Sequence, residues 1–486
     1  MPLDAARDAV IAVQARVIGL LAAENARLAG QVADLAARVE RLERLASRNS
    51  GNSSMPPSAD DLPGRTPPRR RPAGGGRKRR QGKQPGAPGS HLAWSGDPDD
   101  TVPHFPDGRC ECGADLAGAA DLGVAASHQQ VEIPLACAQV IQHDLHAVAC
   151  GCGRVHQAAA PPGAGAPGTV TYGLNLQAWC VFLLAAHAIP VHRCAELIES
   201  LTGAKPSPGF VHSMIARAAV AVAAANRLIR ALIILAHVIC ADETPIRVGP
   251  GPKTRKRYLL VACTRLLTCY FLGDRSLATF GAFVFPDLAG TVVVHDRYQN
   301  YDAYPGIIHQ LCTAHLLRDL ADAAETYPGA IWPGQIADAL RGLIHAASQA
   351  REQGRAAVPE EIAAPLIHDF RHGVLAGLSD IPRRPGRKQS PCRDLLECLR
   401  DRRGDVLRFT TDLRIPPTSN QAERDVRPAK VQQKISGRLR SEQVTRHRYA
   451  IRGYLSTAAK HGINVLAALR DALDGNPWMP PIPDPP

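Results

Sequence analysis

The sequence predicts an α/β fold built in several parts, and three features carry that prediction. Between residues 237 and 312, short apolar, β-branched runs are separated by turns and one helix-like stretch. On either side of that region apolar residues recur at helical spacing. Ahead of both lies a Pro-free stretch with a seven-residue repeat, followed by a Pro-, Gly- and Arg-rich segment. At 486 residues the chain is too long for one ordinary core, and a hydrophobic share of 45% is enough to bury several.

The central region predicts the sheet. HVICADETPIRV runs into Asp242, and RYLLVACTR and LLTCYFLGD predict a hairpin. After the helix-like SLATFGAFVF, the strand TVVVHD ends at Asp296, and IIHQLC leads into the helical TAHLLRDLADAAE. Three strands, a helix and a strand ending in Asp is the layout of a ribonuclease H-like core. In such a sheet the first and fourth strands are neighbours, so Asp242 and Asp296 can meet. Phosphodiester cleavage with two metals needs carboxylates converging on ions roughly 3.5–4 Å apart.

A third carboxylate must come from a later helix. Glu423 in PPTSNQAERDVRPAKVQQK is the candidate, with Arg427, Lys430 and Lys434 following on one helical face. Glu423 also suits a second role, as the N3 member of a capping box with Asn420. Pro428 removes one helix hydrogen bond, so the shared face requires a bent helix, not a broken one. Glu243 is expected on the sheet face opposite Asp242, and Asp302 in a loop.

Leu21, Leu28, Leu35 and Leu42 recur every seven residues, with Ile18, Asn25, Val32 and Val39 three before each. This a/d seam predicts a parallel two-stranded coil over 1–47, with Asn25 fixing register and Arg38 reaching Glu43 of a partner. An amphipathic helix packed on its own chain is the alternative. Residues 48–95 predict a disordered basic linker. Within it Arg69, Arg70, Arg71, Arg77, Lys78, Arg79 and Arg80 form a cationic arm suited to phosphates, or a solubilising linker. A net charge of +12 likewise favours a polyanionic partner.

Residues 96–168 predict a zinc-ribbon-like module. Cys110-x-Cys112 and Cys150-x-Cys152 sit on Gly-containing turns, and the segment between them alternates like strands. Four such thiolates suit a tetrahedral structural zinc; two inert turns are the other reading. In the helical region 169–236, Ser207 and Pro208 predict an N-cap and N1 after a helix stopping at Gly203. That arrangement permits a helix-turn-helix or plain helical packing. Thirteen cysteines, spread mostly singly, suit a reducing cytoplasm better than a disulfide scaffold. No stretch reads as a membrane span or a signal peptide.

Taken together, the zipper, NSGNSSMPPS, the GKQPGAPG run, the cysteine knuckles, Ala241-Asp242-Glu243-Thr244, Cys312-x-x-His315 and Asn420-x-x-Glu423-Arg424 through Arg427-Pro428 resemble the transposases of the insertion sequence 66 family. The resemblance implies a core split as 237–325 and 405–440, with acids at Asp242, Asp296 and Glu423. It also implies a helical insertion over 326–404 and leaves 441–486 as a helical tail. It implies an enzyme that uses Mg²⁺ or Mn²⁺ to cut element ends and join the 3′-OH to target DNA, acting as a homo-oligomer in the cytoplasm on the nucleoid. A non-catalytic dimeric DNA-binding regulator, or an inactivated transposase, would need the zipper and the basic parts but not the acids. A structure-specific nuclease on the same core would cut without joining. Cys312, His315 and Asn420 belong to the family pattern; for Cys312 and His315, packing or positioning competes with metal binding. The chain departs from the pattern in Asp296-Arg297-Tyr298, where Asp-Gly-Tyr is frequent, in its C-x-C knuckles, and in Gln432-Gln433-Lys434 where Arg-Lys usually follows the Glu helix.

Overall fold

The computed structural model describes residues 2–49, 52, 92–161, 163, 166, 168–249, 255–386 and 388–482. The chain divides into two units: one holds Met1–Arg69, Ile141–Glu199 and Lys205–Pro486, the other Arg70–Val140 and Ser200–Ala204.

The heptad stretch is one helix, α1 (Pro2–Ser47). Its seam residues Ile18, Leu21, Leu28, Val32, Leu35, Val39 and Leu42 are 44–66% exposed, so among the described residues nothing covers them. In the same unit come α2 (Leu174–Val181), which runs into a π-helical turn at Phe182–Ala186, then α3 (Val191–Thr202) as far as Glu199, α4 (Pro208–Ala221) and α5 (Ala223–Ile234). The start of α4 follows from local chemistry: the Ser207 side chain accepts from the Phe210 amide at 3.1 Å, and Pro208 stands where no amide is needed.

The central sheet has β1 (Val238–Val248), β2 (Arg255–Cys263), β3 (Thr268–Gly273), β4 (Val292–His295) and β5 (Ile308–Leu311), in the order β3-β2-β1-β4-β5. The first three strands form an antiparallel meander, whereas β4 and β5 run parallel to β1. Because β4 pairs in parallel with β1, the chain must cross over to reach it, and α6 (Leu277–Gly281) lies on that path after β3.

Alternation of side chains along β1 divides the core in two. Cys240, with Val261 and Val294, packs among α7 (Thr313–Thr326) and α8 (Trp332–Glu352). Ile239 and Ala241 pack with Ile229 and Ile233 of α5 and with Phe280, Phe283 and Phe285. Each aliphatic side chain buried in these layers contributes about 1.5–3 kcal/mol. Helices α9 (Glu360–Asp380), α10 (Pro391–Asp401) and α11 (Arg403–Leu407) extend the first layer. The close approach of Trp332 and Leu396 to α9 requires Gly377, where a Cβ would lie 2.7–2.8 Å from both. The chain then returns to the sheet through α12 (Asn420–Ile435), α13 (Glu442–Lys460) and α14 (Val465–Leu473).

One expectation fails. The alternating run between the cysteine pairs forms a strand only at Ala147–Ala149, paired with Val155–Gln157. Residues 128–146 form none, and Val131, Ile133 and Leu135 are 80–99% exposed. Alternation makes a strand only where one face has something to bury against.

Candidate active site

Asp242 and Asp296 are brought together by strand register. β1 and β4 pair in parallel with Val238 opposite Val292 and Cys240 opposite Val294. Carrying that register two residues further sets Asp242 level with Asp296, and level residues of parallel strands share a face. The Asp242 carboxylate accepts from the Glu243 amide at 2.9 Å, and Asp296 accepts from the Tyr298 amide at 2.9 Å. Burial pushes Asp242 up to about 7, and the charges of Glu243 and Asp296 push the same way. The departure at Arg297 leaves the acid in place, because that guanidinium turns to Asp319 on α7.

Glu423 arrives on α12, which packs against β1 and β2. The helix continues through Pro428 to Ile435, so Arg427, Lys430 and Lys434 keep one exposed face. The capping-box alternative does not form. Ser419 is the N-cap, the Glu423 amide donates to its carbonyl at 3.1 Å, and the Glu423 carboxylate pairs with Arg318 of α7 at 3.1 Å.

The Cys312-x-x-His315 pair opens α7 and fastens the loop that delivers Glu423. The Cys312 amide donates to His295, next to Asp296, at 2.8 Å. Its sulfur accepts from the Ser419 amide at 3.2 Å, and the amide and hydroxyl of Thr313 both donate to the Pro417 carbonyl at 2.9 Å. His315 Nε2 lies 3.8 Å from Glu423 and feels the charges of Asp242 and Asp296. Burial alone would lower His315, but the adjoining Cys312 sulfur outweighs it and raises His315 to about 9, although Nδ1 has no well-aligned hydrogen-bond partner. His315 thus stands beside Glu423 and within the field of Asp242 and Asp296.

Glu243 points the other way. Its side chain is 1% exposed and meets Arg275 through Nη2 and, at 3.1 Å, Nε. The Tyr301 hydroxyl donates to it at 3.1 Å, and Arg275 stacks 3.9 Å over Tyr298. Burial raises Glu243, and the arginine opposes that. His295 is fully buried on the same side, stacked on Tyr301 and 3.0 Å from His309; burial lowers it to about 3, so it is neutral. Sequence reasoning missed Arg275, Tyr301, His295 and Arg318. Of these only Arg318 had a local signal, one helical turn beyond His315.

A second buried pair anchors α12. Asp425 meets Lys460 of α13 at 2.7 Å, accepts from Thr268 at 3.1 Å, and its carbonyl accepts from the Tyr270 hydroxyl at 2.5 Å. The Asn420 side chain makes no part of this.

The cysteine knuckles share one turn geometry, each within its own unit. Cys110 donates its amide to Ala114 and accepts from Gly113; Cys150 donates to Arg154 and accepts from Gly153. Hydrogen bonding from Cys112 lowers Cys110, and from Cys152 lowers Cys150. Among the described residues no group of three or more His, Cys, Asp or Glu side chains stands close enough to hold a metal ion. Arg69, Arg70, Arg71, Arg77, Lys78, Arg79 and Arg80 lie outside the described residues. Among the described residues no helix is long and apolar enough to cross a membrane.

Comparison with known proteins places these features. No curated protein matches the chain. A family of unknown function matches residues 10–93, which take in most of the heptad stretch and the basic segment after it. The Transposase IS66 family matches residues 169–447, the span from α2 to α13 that includes Asp242, Asp296 and Glu423. Because that match covers more than half of the chain, the protein belongs to the IS66 family of transposases.

Proposed function

We propose that this chain is a metal-dependent DDE transposase whose carboxylates are Asp242, Asp296 and Glu423. The observation that carries the reading is the parallel register of β1 and β4, which sets two acids level on one face beneath the helix bearing the third. The strand order β3-β2-β1-β4-β5 supports a ribonuclease H-like core, and α8 to α11 suit its helical insertion.

The donor set fits Mg²⁺ or Mn²⁺. Asp242 and Asp296 are hard oxygen donors, and Asp242 is raised partly because Asp296 repels its charge. When bound, the metal supplies charge neutralisation and an activated oxygen nucleophile for in-line attack on a phosphodiester. The chain's own residues then have separate tasks. The register fixes the spacing of Asp242 and Asp296, and the Cys312, Thr313 and Ser419 contacts fix the approach of α12. Arg318 and His315 hold Glu423 and offset the charge of the acid cluster. Arg427, Lys430 and Lys434 offer an exposed cationic row to a DNA backbone. The zipper pairs two copies through its exposed seam, so that both element ends are handled together. Structural zinc remains a proposal for the two knuckles, where Cys110 and Cys112 on one turn and Cys150 and Cys152 on the other are the thiol ligands on offer.

The test uses the full chain with DNA carrying its element's terminal inverted repeats and Mg²⁺. Cutting at the ends, followed by joining of a pre-cut 3′-OH to target DNA, is the expected result. Binding without cutting would favour the non-catalytic regulator, and cutting without joining a nuclease.

A further inference from the structure

An arginine-lined cavity of about 310 Å³ opens beside the Glu423 helix. Arg424 and Arg427 of α12 form one side, Arg448 and Arg452 of α13 the other, and Val431 and Ile435 are part of its apolar wall. Its volume falls at the lower end of small-ligand sites, roughly 300–1,000 Å³.

The charge in this cavity is unmatched. The basic residues of α13 that form ion pairs are Arg446 with Glu442 and Lys460 with Asp425; among the described residues none of the four cavity arginines has a carboxylate partner. Arg448 is 7% exposed, and Arg452 is half-buried. Arg448 donates to the Leu184 carbonyl, and Arg452 to the carbonyls of Ala185 at 3.0 Å and Ala186 at 2.8 Å. Those carbonyls end the α2 π-turn and carry about half a negative charge, against four guanidiniums. Nε of Arg448, Nε of Arg452 and the Tyr449 hydroxyl have no hydrogen-bond partner. Buried cations are normally paired, so four guanidiniums without a carboxylate make the cavity favourable to an anion.

We propose that the cavity takes one nucleotide of a DNA strand, with its phosphate on the arginines and its sugar or base on the wall of Val431 and Ile435. The proposal rests on the transposase reading, since Arg424 directly follows Glu423 and a strand held here runs beside the acids. A phosphate accepts several guanidinium hydrogen bonds, and an unpaired nucleotide presents an apolar face that a duplex conceals.

The test measures DNA binding by the full chain in EDTA, so that cutting plays no part. The probes are a fluorescent duplex with an unpaired thymidine tail and a blunt duplex, with thymidine 5′-monophosphate as competitor. The variant Arg424→Gln alters an exposed cavity position outside the row of Arg427, Lys430 and Lys434. It is expected to weaken tailed-duplex binding about fivefold or more, to lower the slope of log affinity on log salt by about 1, and to change blunt-duplex binding less than about twofold. Val431→Glu, which puts a carboxylate among the arginines, should give the same selective loss. Parent-like binding of the tailed duplex by both variants would overturn the proposal and leave the arginines as caps of the α2 turn. Competition by the monophosphate as strong as by the unlabelled tailed duplex would replace the strand with a free nucleotide. A parent chain that ignores the tail would also overturn it, whereas the acids are tested separately by metal-dependent cutting.

Discussion

On one face of β1, Glu243 meets the Arg275 guanidinium and the Tyr301 hydroxyl. On the other face, one peptide earlier, Asp242 looks toward Asp296, and the cation near it is the shared His315. Both acids are largely buried, and both are raised by burial. The difference lies in what compensates them. An acid supplied with its own arginine and phenol stabilises a layer; an acid left beside a second acid costs stability. Proteins keep such a cost where a ligand or a reaction removes it. Asp425 belongs with Glu243, since Lys460 neutralises it inside the core.

The largest effect that would break this contrast concerns the compensated acids. Lys460→Met leaves Asp425 buried without its cation and should cost about 3–5 kcal/mol by urea denaturation. A loss below about 1 kcal/mol would show that Asp425 is not a structural charge.

Next, the two neighbours should respond with opposite signs. Glu243→Gln removes the partner of Arg275 and should destabilise by about 2 kcal/mol, the partial exposure of Arg275 limiting the loss. Asp242→Asn should stabilise by about 1–3 kcal/mol at pH 8 without metal. The sign follows from the folded value of about 7, above the ordinary 3.8. The stability that neutral Asp242 contributes is complete below about pH 4 and is lost as pH rises through 7. Asparagine, which never ionises, escapes that loss. Destabilisation by both variants would erase the distinction.

The same value sharpens the metal reading. Below pH 7 a divalent ion must displace a proton from Asp242, so calorimetric Mn²⁺ affinity should rise with pH up to about 7 and level above it. A flat profile from pH 5.5 to 8.5 would remove Asp242 from the ligand set.

The smallest effect concerns the clasp. Cys312→Ala removes the sulfur that raises His315, and its imidazole titration, read by NMR, should fall from about 9 toward or below 6.5. Cys312→Ser, which can still accept from Ser419, should lose less than about 1 kcal/mol of stability. An unmoved His315 titration would separate the two residues.

Much of this arrangement was legible in the sequence because it rests on local periodicity. The five apolar strand runs, the end of β4 just before Asp296 and the cap at Ser207 need only neighbouring residues to be read. The opposite orientations of Asp242 and Glu243 follow from alternation on one strand. The partners that distinguish the two acids were not legible. Arg275 and Tyr301 lie 32 and 58 residues from Glu243, and Arg318 lies 105 from Glu423. Only the fold brings them close. The arginine cavity was equally hidden, because its charges come from two helices and the end of a third. Residues 128–146 teach the reverse, since alternation produced no strand where the described residues leave its apolar side chains exposed.

The central claim is that of these two adjacent acids only Asp242 serves strand cutting. The most direct measurement compares Mg²⁺-dependent nicking of element-end DNA by the parent, Asp242→Asn and Glu243→Gln, each confirmed folded. The account predicts at least about a thousandfold loss for Asp242→Asn and less than about tenfold for Glu243→Gln. Nicking by Asp242→Asn at the parent rate, or an equal loss in both variants, would contradict it.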